Sequence, residues 1–142
     1  MKKPIIQIIR KSNDKYQIIK SLKQNRKKRN AFKEIYIEGI ESIKQAISAN
    51  VLVKKVIFAD YDKLSNWAKE IIGKMHYEEL IQLESGLYKD LSDKTDPSEL
   101  IITIKYEKIK IEEIELKPNP FILIFDRPSD NGNLGSLIRS AN

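Results

Sequence analysis

The last part of the sequence holds residues whose types and spacing suit the binding of an anion. An apolar segment at residues 121–125 is predicted to be a buried strand. It leads into the stretch DNGNLG, which begins at Asp130 and contains Gly132 and Gly135, and then into a predicted helix that bears Arg139. Free backbone N–H groups at such a helix start bind anions. The spacing matches neither the GxGxxG nor the GxxxxGK motif, so an ordinary tight connection is the alternative.

A second group of residues suited to binding is a run of positive charge nearer the amino terminus. No acidic residue interrupts residues 15–33, and the run is densest in NRKKRN, which lies between the first predicted helix and the first predicted strand. Such side chains neutralise successive phosphates and release counterions, which gives a salt-dependent affinity for RNA. A solvated, disordered loop of like charges is the alternative. The candidate RNA-binding residues are Lys23, Arg26, Lys27, Lys28, Arg29 and Lys33.

Residues suited to other chemistry are sparse. The single histidine, His76, has no cysteine to accompany it, and we expect it at a strand edge or on the surface. The carboxylates are scattered through amphipathic helices and connecting segments, so the sequence predicts neither a metal site nor an acid–base pair. The lack of cysteine excludes disulfides and fits a reducing, cytoplasmic location.

Alternating strands and helices must position these residues. Asn13 is suited to capping a first helix that starts with Asp14. We expect Gly73 to end a later helix and Ser85 to cap another. The remaining pattern predicts strands at residues 32–38, 52–59, 79–83 and 100–106, and helices at residues 39–50, 63–72 and 85–91. This alternation is typical of a layered α/β domain with a largely buried sheet.

Length and charge limit the possibilities further. The 142 residues suffice for one domain and a remnant of a second. The formal net charge of +6 favours polyanionic partners such as RNA, DNA or an acidic membrane surface. The apolar run near the amino terminus is interrupted by Arg10 and Lys11 and is too short to span a membrane, so we expect a soluble protein.

The stretch DNGNLGSLIRSA resembles the first signature motif of the SpoU/TrmH (SPOUT) family of RNA ribose 2′-O-methyltransferases. In that motif an Asn, a Gly two positions later and an Arg four positions after that recur, and here they are Asn133, Gly135 and Arg139. The stretches FKEIYIEGIESIKQAI and LSDKTDPSELIITI are similar to the substrate-binding domain of many members, so the resemblance spans residues 12–142. One departure is Asn131, where the family usually has a Pro that would make the loop more rigid.

The resemblance implies a three-layer α/β/α, ribosomal-protein-like domain that binds the RNA substrate at residues 1–107. A linker at residues 108–120 would follow, and residues 121–142 would form the first strand and helix start of an α/β-knot methyltransferase domain. The implied partners are ribosomal or transfer RNA, with no DNA or membrane, and a homodimer is implied for the whole enzyme. S-adenosylmethionine would be the methyl donor of the whole enzyme. Its pocket in the family uses two later motifs, so we expect this chain to be a truncated part, inactive alone and without cofactor-binding residues.

The resemblance also implies roles for single residues. Arg139 would be catalytic, and because a guanidinium stays protonated, we expect it to bind phosphate and stabilise charge rather than act as a general base. Asn133 would orient the loop or contact the substrate. Asp130, Gly132 and Gly135 would belong to that loop, the glycines allowing close approach of the backbone.

Three hypotheses remain open from the sequence. The first is the amino-terminal part of an RNA 2′-O-methyltransferase. A second is a stand-alone RNA-binding module without catalysis, which the basic segment supports. The third is an unrelated nucleotide-binding protein that uses the Gly-rich stretch, which the lack of a phosphate-loop Lys disfavours.

Overall fold

The computed structural model describes residues 5–92, 94–127 and 130–141. By its internal contacts the chain divides into two units, residues 1–108 and residues 109–142. In the described part of the first unit, five strands alternate with five helices. The strands are β1 (Ile6–Ile9), β2 (Glu34–Glu38), β3 (Val53–Phe58), β4 (Tyr77–Leu83) and β5 (Ile101–Lys105). The helices are α1 (Asp14–Gln24), α2 (Arg26–Phe32), α3 (Ile40–Ser48), α4 (Asn66–Lys74) and α5 (Ser85–Leu91).

The five strands form one mixed sheet in the order β1-β4-β3-β5-β2. β1, β4 and β3 run parallel, with Leu80 in register with both Ile6 and Val56. β5 is antiparallel to β3 on one side and to β2 on the other. Parallel neighbours require crossover connections, and helices supply them here.

Both faces of the sheet are covered by helices. Alternate residues of the central strand β3 point to opposite faces: Val56 and Phe58 pack with α3 and α4, whereas Ile57 packs with α1 and α5. All three side chains are fully buried. This arrangement confirms the predicted three-layer α/β/α fold.

The first strand, β1, is absent from the sequence-based prediction. Residues Ile6 to Ile9 pair with Leu80 to Leu83 of β4, so β1 is an edge strand of the sheet. Only Ile9 is buried, at 3% exposed, while Gln7 and Ile8 are exposed. A four-residue edge strand with one buried side chain leaves a weak signal in the sequence, because pairing with β4 rather than its own pattern defines it.

The ends of the helices follow capping rules with two differences from the prediction. Asn13 caps α1 as predicted, its side chain accepting a hydrogen bond from the Tyr16 N–H at 2.9 Å. α5 is capped by Glu84 instead of Ser85, because Ser85 is already helical and the Glu84 carboxylate accepts from the Gly86 N–H at 2.8 Å. Gly73 lies inside α4, which continues to Lys74 and ends where the backbone extends towards β4.

A buried ion pair lies among the apolar residues of the sheet. Lys55 on β3 donates to Glu34 on β2 at 2.6 Å, and the two side chains are 10% and 5% exposed. The hydroxyl of Thr103, on the intervening strand β5, donates to the same carboxylate oxygen. A shift of any of these strands by one residue would turn its own member of the group, Glu34, Thr103 or Lys55, to the opposite face of the sheet. The group therefore fixes the register of the three strands.

The second unit contains little regular structure in its described part. A short 3₁₀ helix spans Ile111–Glu113, and a helix, α6, spans Asn131–Ala141. The buried strand predicted at residues 121–125 is wrong: the segment has no strand partner among the described residues, and its exposure ranges from 43% at Phe125 to 89% at Ile124. A strand requires a neighbour for its backbone hydrogen bonds.

Candidate functional site

The basic segment NRKKRN is helical from Arg26, so the alternative of a disordered loop does not apply. Asn25 separates α1 from α2, and its side-chain oxygen accepts hydrogen bonds from the N–H groups of Lys27 and Lys28 at 2.9 and 3.2 Å. The backbone N–H of Asn25 in turn donates to Ser21, closing the end of α1. This cap offsets part of the repulsion between like charges along α2.

Two of the candidate RNA-binding residues hold the fold together. The Arg29 guanidinium donates to the carbonyl oxygens of Leu22 and Lys23 at 2.9 and 3.1 Å, which satisfies the last turn of α1. The Lys23 ammonium donates to the carbonyl oxygen of Leu91, at the end of α5, at 2.6 Å. Arg29 and Lys23 therefore position α1, α2 and α5 relative to one another.

The other four candidates extend into solvent along α2 and just after it. Arg26, Lys27, Lys28 and Lys33 are all exposed, and none forms an ion pair within the described part of the chain. Lys28 lies over the ring of Phe32, with its nitrogen 5.9 Å from the ring centre. This exposed surface, which we call the α2 basic surface, consists of Arg26, Lys27, Lys28 and Lys33.

The Gly-rich stretch near the carboxyl terminus is the first turn of α6, whereas the sequence predicts a turn before the helix. The Asp130 carboxylate caps α6 by accepting hydrogen bonds from the Gly132 and Asn133 N–H groups, at 2.5 and 3.3 Å. A Cβ atom at position 132 would lie 2.8 Å from that carboxylate oxygen, so a larger residue would displace the cap. A side chain at position 132 would therefore require the Asp130 carboxylate to shift.

Arg139 lies one turn beyond Gly135 on α6. Its guanidinium donates to the Ser136 hydroxyl at 3.2 Å, and a Cβ atom at position 135 would touch it at 3.4 Å. Asn133 and Arg139 are six residues apart, which places them about 120° apart around the helix axis at 100° per residue. Both side chains are exposed, and α6 alone does not bring them together.

The side of α6 away from Arg139 is apolar. Leu134, Leu137, Ile138 and Ala141 follow helical spacing along it. Leu134 is 36% and Ile138 60% exposed, so this stripe has little cover in the described residues.

The strand-to-helix turn at Glu38 and Gly39, which lies within the stretch FKEIYIEGIESIKQAI, has a structural role. The Glu38 carboxylate accepts hydrogen bonds from the Ser92 hydroxyl at 2.5 Å and the Ser98 N–H at 3.4 Å. Gly39 has a φ of 105°, a conformation that L side chains rarely adopt. The pair thus holds the segment before β5 against the end of β2.

Neither a metal site nor a membrane span occurs among the described residues. No three His, Asp or Glu side chains of those residues gather in a way that could hold a metal ion. His76 is exposed and directly precedes β4, as predicted. No described helix has the length and apolar character needed to cross a bilayer.

The α/β/α fold agrees with a comparison against protein families. Residues 13–102 match the model of the SpoU L30e-like domain, which is more than half of the chain. The chain belongs to the SpoU L30e-like domain family. The resemblance to SpoU enzymes inferred from the sequence is thereby confirmed.

Relatives of this SpoU protein include characterised RNA methyltransferases. The chain is 28% identical over 139 residues to the 23S rRNA (uridine(2479)-2′-O)-methyltransferase of Streptomyces viridochromogenes, covering 97% of this chain and 48% of that protein. The crystal structure of the SpoU methyltransferase AviRb from the same organism, in complex with AdoMet, superposes with a TM-score of 0.80 at 28% identity. That superposition covers 92% of this chain and 49% of AviRb.

The fold also matches the crystal structure of an RNA 2′-O ribose methyltransferase, with a TM-score of 0.71 at 23% identity. This match covers 96% of the SpoU chain and 51% of the other. The chain therefore spans about half the length of the relatives it matches. Within it, the α2 basic surface lies inside the L30e-like domain, and α6 with Arg139 lies outside it.

Proposed function

We propose that this SpoU chain is the RNA-recognition part of a ribosomal RNA ribose 2′-O-methyltransferase that takes its methyl group from S-adenosylmethionine. The observation that carries the proposal is the extent of similarity to the 23S rRNA methyltransferase of S. viridochromogenes. That similarity covers 97% of the chain, so it continues beyond the L30e-like domain at residues 13–102 to the Asn133–Arg139 motif. The proposal includes a cytoplasmic location, which the lack of cysteine supports.

The proposal assigns a different role to each of three segments. Residues 1–107 bind RNA, residues 108–120 connect, and residues 121–142 begin the methyltransferase domain. The division of contacts after residue 108 and the Pro118-Asn119-Pro120 break support this assignment. The apolar side chains of residues 121–125 and of α6 would then be covered by the rest of that domain, which in SpoU enzymes also forms the homodimer.

RNA recognition is assigned to the α2 basic surface. Its ammonium and guanidinium groups are exposed and lie on one short, capped helix, so they can meet successive phosphates without first ordering a loop. Lys23 and Arg29 contribute positive charge nearby but are engaged with backbone carbonyls. We therefore expect them to affect RNA binding mainly through the position of α2.

Replacing Arg26, Lys27 and Lys28 with Gln should weaken RNA binding by about 30-fold at 100 mM salt, because three phosphate contacts disappear. The slope of log affinity against log salt should fall by about 2. Fluorescence anisotropy with labelled ribosomal RNA fragments at several salt concentrations measures both. Replacing Lys63, Lys74 and Lys89 with Gln removes the same charge from exposed positions outside α2 and is the matched control. Equal salt slopes for the two triple variants would contradict this assignment and would mean that α2 is a solvated helix without a role in RNA binding.

The catalytic proposal concerns α6. A ribose 2′-hydroxyl is a weak nucleophile at neutral pH, so the transfer requires the hydroxyl to be held in line and its developing charge to be stabilised. The Arg139 guanidinium would bind the adjoining phosphate and stabilise that charge. Asn133 would orient the substrate through its amide. Because the two side chains lie about 120° apart on α6, the ribose would approach over the helix start between them.

The cofactor does not fit the residues described here. S-adenosylmethionine needs a largely enclosed pocket, and nearly all described side chains of residues 109–141 are exposed. We therefore assign no residue of this chain to the cofactor and propose that the chain alone is inactive.

Calorimetry on the 142-residue chain should detect no binding of S-adenosylmethionine up to millimolar ligand. The same preparation should bind RNA, which serves as the control for correctly folded protein. Micromolar affinity for S-adenosylmethionine would contradict the assignment and would mean that the cofactor site lies within these residues.

A further inference from the structure

A cavity of about 510 Å³ lies where α2 ends, and the motifs of the sequence do not account for it. Its lining consists of Asn30, Lys33, Tyr106, Glu107 and Lys108, all from the first unit of the chain. Pockets for small ligands typically measure about 300–1,000 Å³. The cavity is therefore large enough for a single nucleotide.

The floor of the cavity is built by two backbone features. Lys33 adopts a left-handed conformation with φ of 51°, which turns the chain sharply from α2 into β2. Its carbonyl oxygen accepts a hydrogen bond from the Tyr106 N–H at 2.8 Å, just after β5. These contacts hold the end of α2 and the half-buried Tyr106 side by side at one edge of the sheet.

The lining carries a net positive charge. Its carboxylate, Glu107, forms an ion pair with Lys105 at 2.6 Å. The hydrogen bond from Lys105, and to a smaller extent the charge of Lys33, lower the pKa of Glu107 below its usual value. Glu107 therefore stays ionised and is compensated by Lys105, while the exposed Lys33 and Lys108 remain available to an anion.

Aromatic side chains are interleaved with this charge. Tyr106 lines the cavity, and Phe32, one residue before Lys33, is 40% exposed with Lys28 over its ring. Alternation of exposed aromatic rings with basic groups is typical of surfaces that bind single-stranded nucleic acid, since unstacked bases pack on the rings. A paired helix keeps its bases stacked and would not use such a cavity.

We propose that this cavity binds one unstacked nucleotide of a single-stranded RNA segment. The base packs on Tyr106 and is hydrogen bonded by the Asn30 amide, and its phosphates meet Lys33 and Lys108. Arg26, Lys27 and Lys28 of the α2 basic surface then bind the neighbouring phosphates. This inference rests on the proposed RNA-binding function and names the form of RNA that the domain accepts.

The test compares a labelled 12-nucleotide single-stranded RNA with the same sequence annealed as a duplex, using the whole 142-residue chain. Tyr106→Leu should lower affinity for the single strand about tenfold and leave duplex affinity unchanged, because one stacked base is lost. Tyr106→Phe should retain the affinity. The double variant Lys33→Gln, Lys108→Gln should reduce the salt slope for the single strand by about 1.4.

The outcomes separate this inference from the proposed function. If the chain binds single-stranded RNA but Tyr106→Leu and the double lysine variant bind as the unaltered chain does, the cavity is not the site, while RNA recognition stands. If the chain binds no RNA at all, both proposals fail. Thermal unfolding checks each variant. If Tyr106→Leu does not fold, Lys108→Gln keeps the test valid, because Lys108 lies outside the α2 basic surface: it should reduce the salt slope for the single strand by about 0.7, and an unchanged slope would overturn the proposal.

Discussion

Arg139→Ala should lower the turnover of the whole enzyme by about 100-fold to 1,000-fold, the loss expected when one group that stabilises transition-state charge is removed. Affinity for S-adenosylmethionine should change little, because in the proposed mechanism the guanidinium acts on the ribose and its phosphate. The KM for RNA should rise only modestly, since the proposal assigns RNA binding to the domain at residues 1–107. Single-turnover methylation of ribosomal RNA with a labelled methyl donor measures these quantities.

Two variants sharpen the Arg139 prediction. Arg139→Lys keeps the charge without the planar pair of donors, so it should recover only part of the lost rate. Arg10→Ala removes an exposed arginine from the other unit and should leave turnover close to that of the unaltered enzyme. Equal turnover for Arg139→Ala and Arg10→Ala would contradict the proposed catalytic role of Arg139.

Lys55→Met should destabilise the chain by about 3–5 kcal/mol, because it leaves the Glu34 carboxylate buried without its cation. The carboxylate is 5% exposed and would retain only the Thr103 hydroxyl as a strong partner. The free energy of unfolding, from urea denaturation followed by circular dichroism, measures the loss. Replacing Glu34 with Leu in the same chain should restore much of the stability, since both charges are then absent.

A surface pair provides the matched control for Lys55. Lys44 forms an ion pair with Glu41 at 2.9 Å, with side chains 47% and 79% exposed. Lys44→Met should change the free energy of unfolding by less than about 0.5 kcal/mol, as exposed ion pairs contribute little. Equal losses for Lys44→Met and Lys55→Met would mean that the buried pair is hydrated and does not fix the sheet.

Much of the first unit is predictable from local sequence because its elements carry strong local signals. The alternation of buried residues along β3 and the Asn13 cap of α1 are examples. The sequence analysis misses β1 because this strand is defined by its pairing with β4, far along the chain. The helical state of α2 is missed because a run of like charge argues against structure. The Asn25 cap and the hydrogen bonds from Arg29 to the end of α1 stabilise it.

The sequence predicts which residues belong to the candidate site better than it predicts how they are arranged. The motif of Asn133, Gly135 and Arg139 is visible in the sequence, but the Asp130 cap extends α6 over the Gly-rich stretch that a turn prediction favours. The segment at residues 121–125 reads as a buried strand from its apolar side chains, yet a strand also needs partners that local sequence does not contain. Tyr106 gives no signal at all, because its neighbour Lys33 is 73 residues earlier and only the fold brings them together.

A map of ribose methylation tests the central proposal most directly. Ribosomal RNA from a strain lacking the gene is compared, nucleotide by nucleotide, with that of the parent strain by resistance of 2′-O-methylated positions to alkaline cleavage. We predict that one ribose methyl group is missing in the deletion strain and returns with the unaltered gene of the whole enzyme but not with its Arg139→Ala variant. Identical maps of ribosomal RNA in the parent and deletion strains would contradict the proposed function.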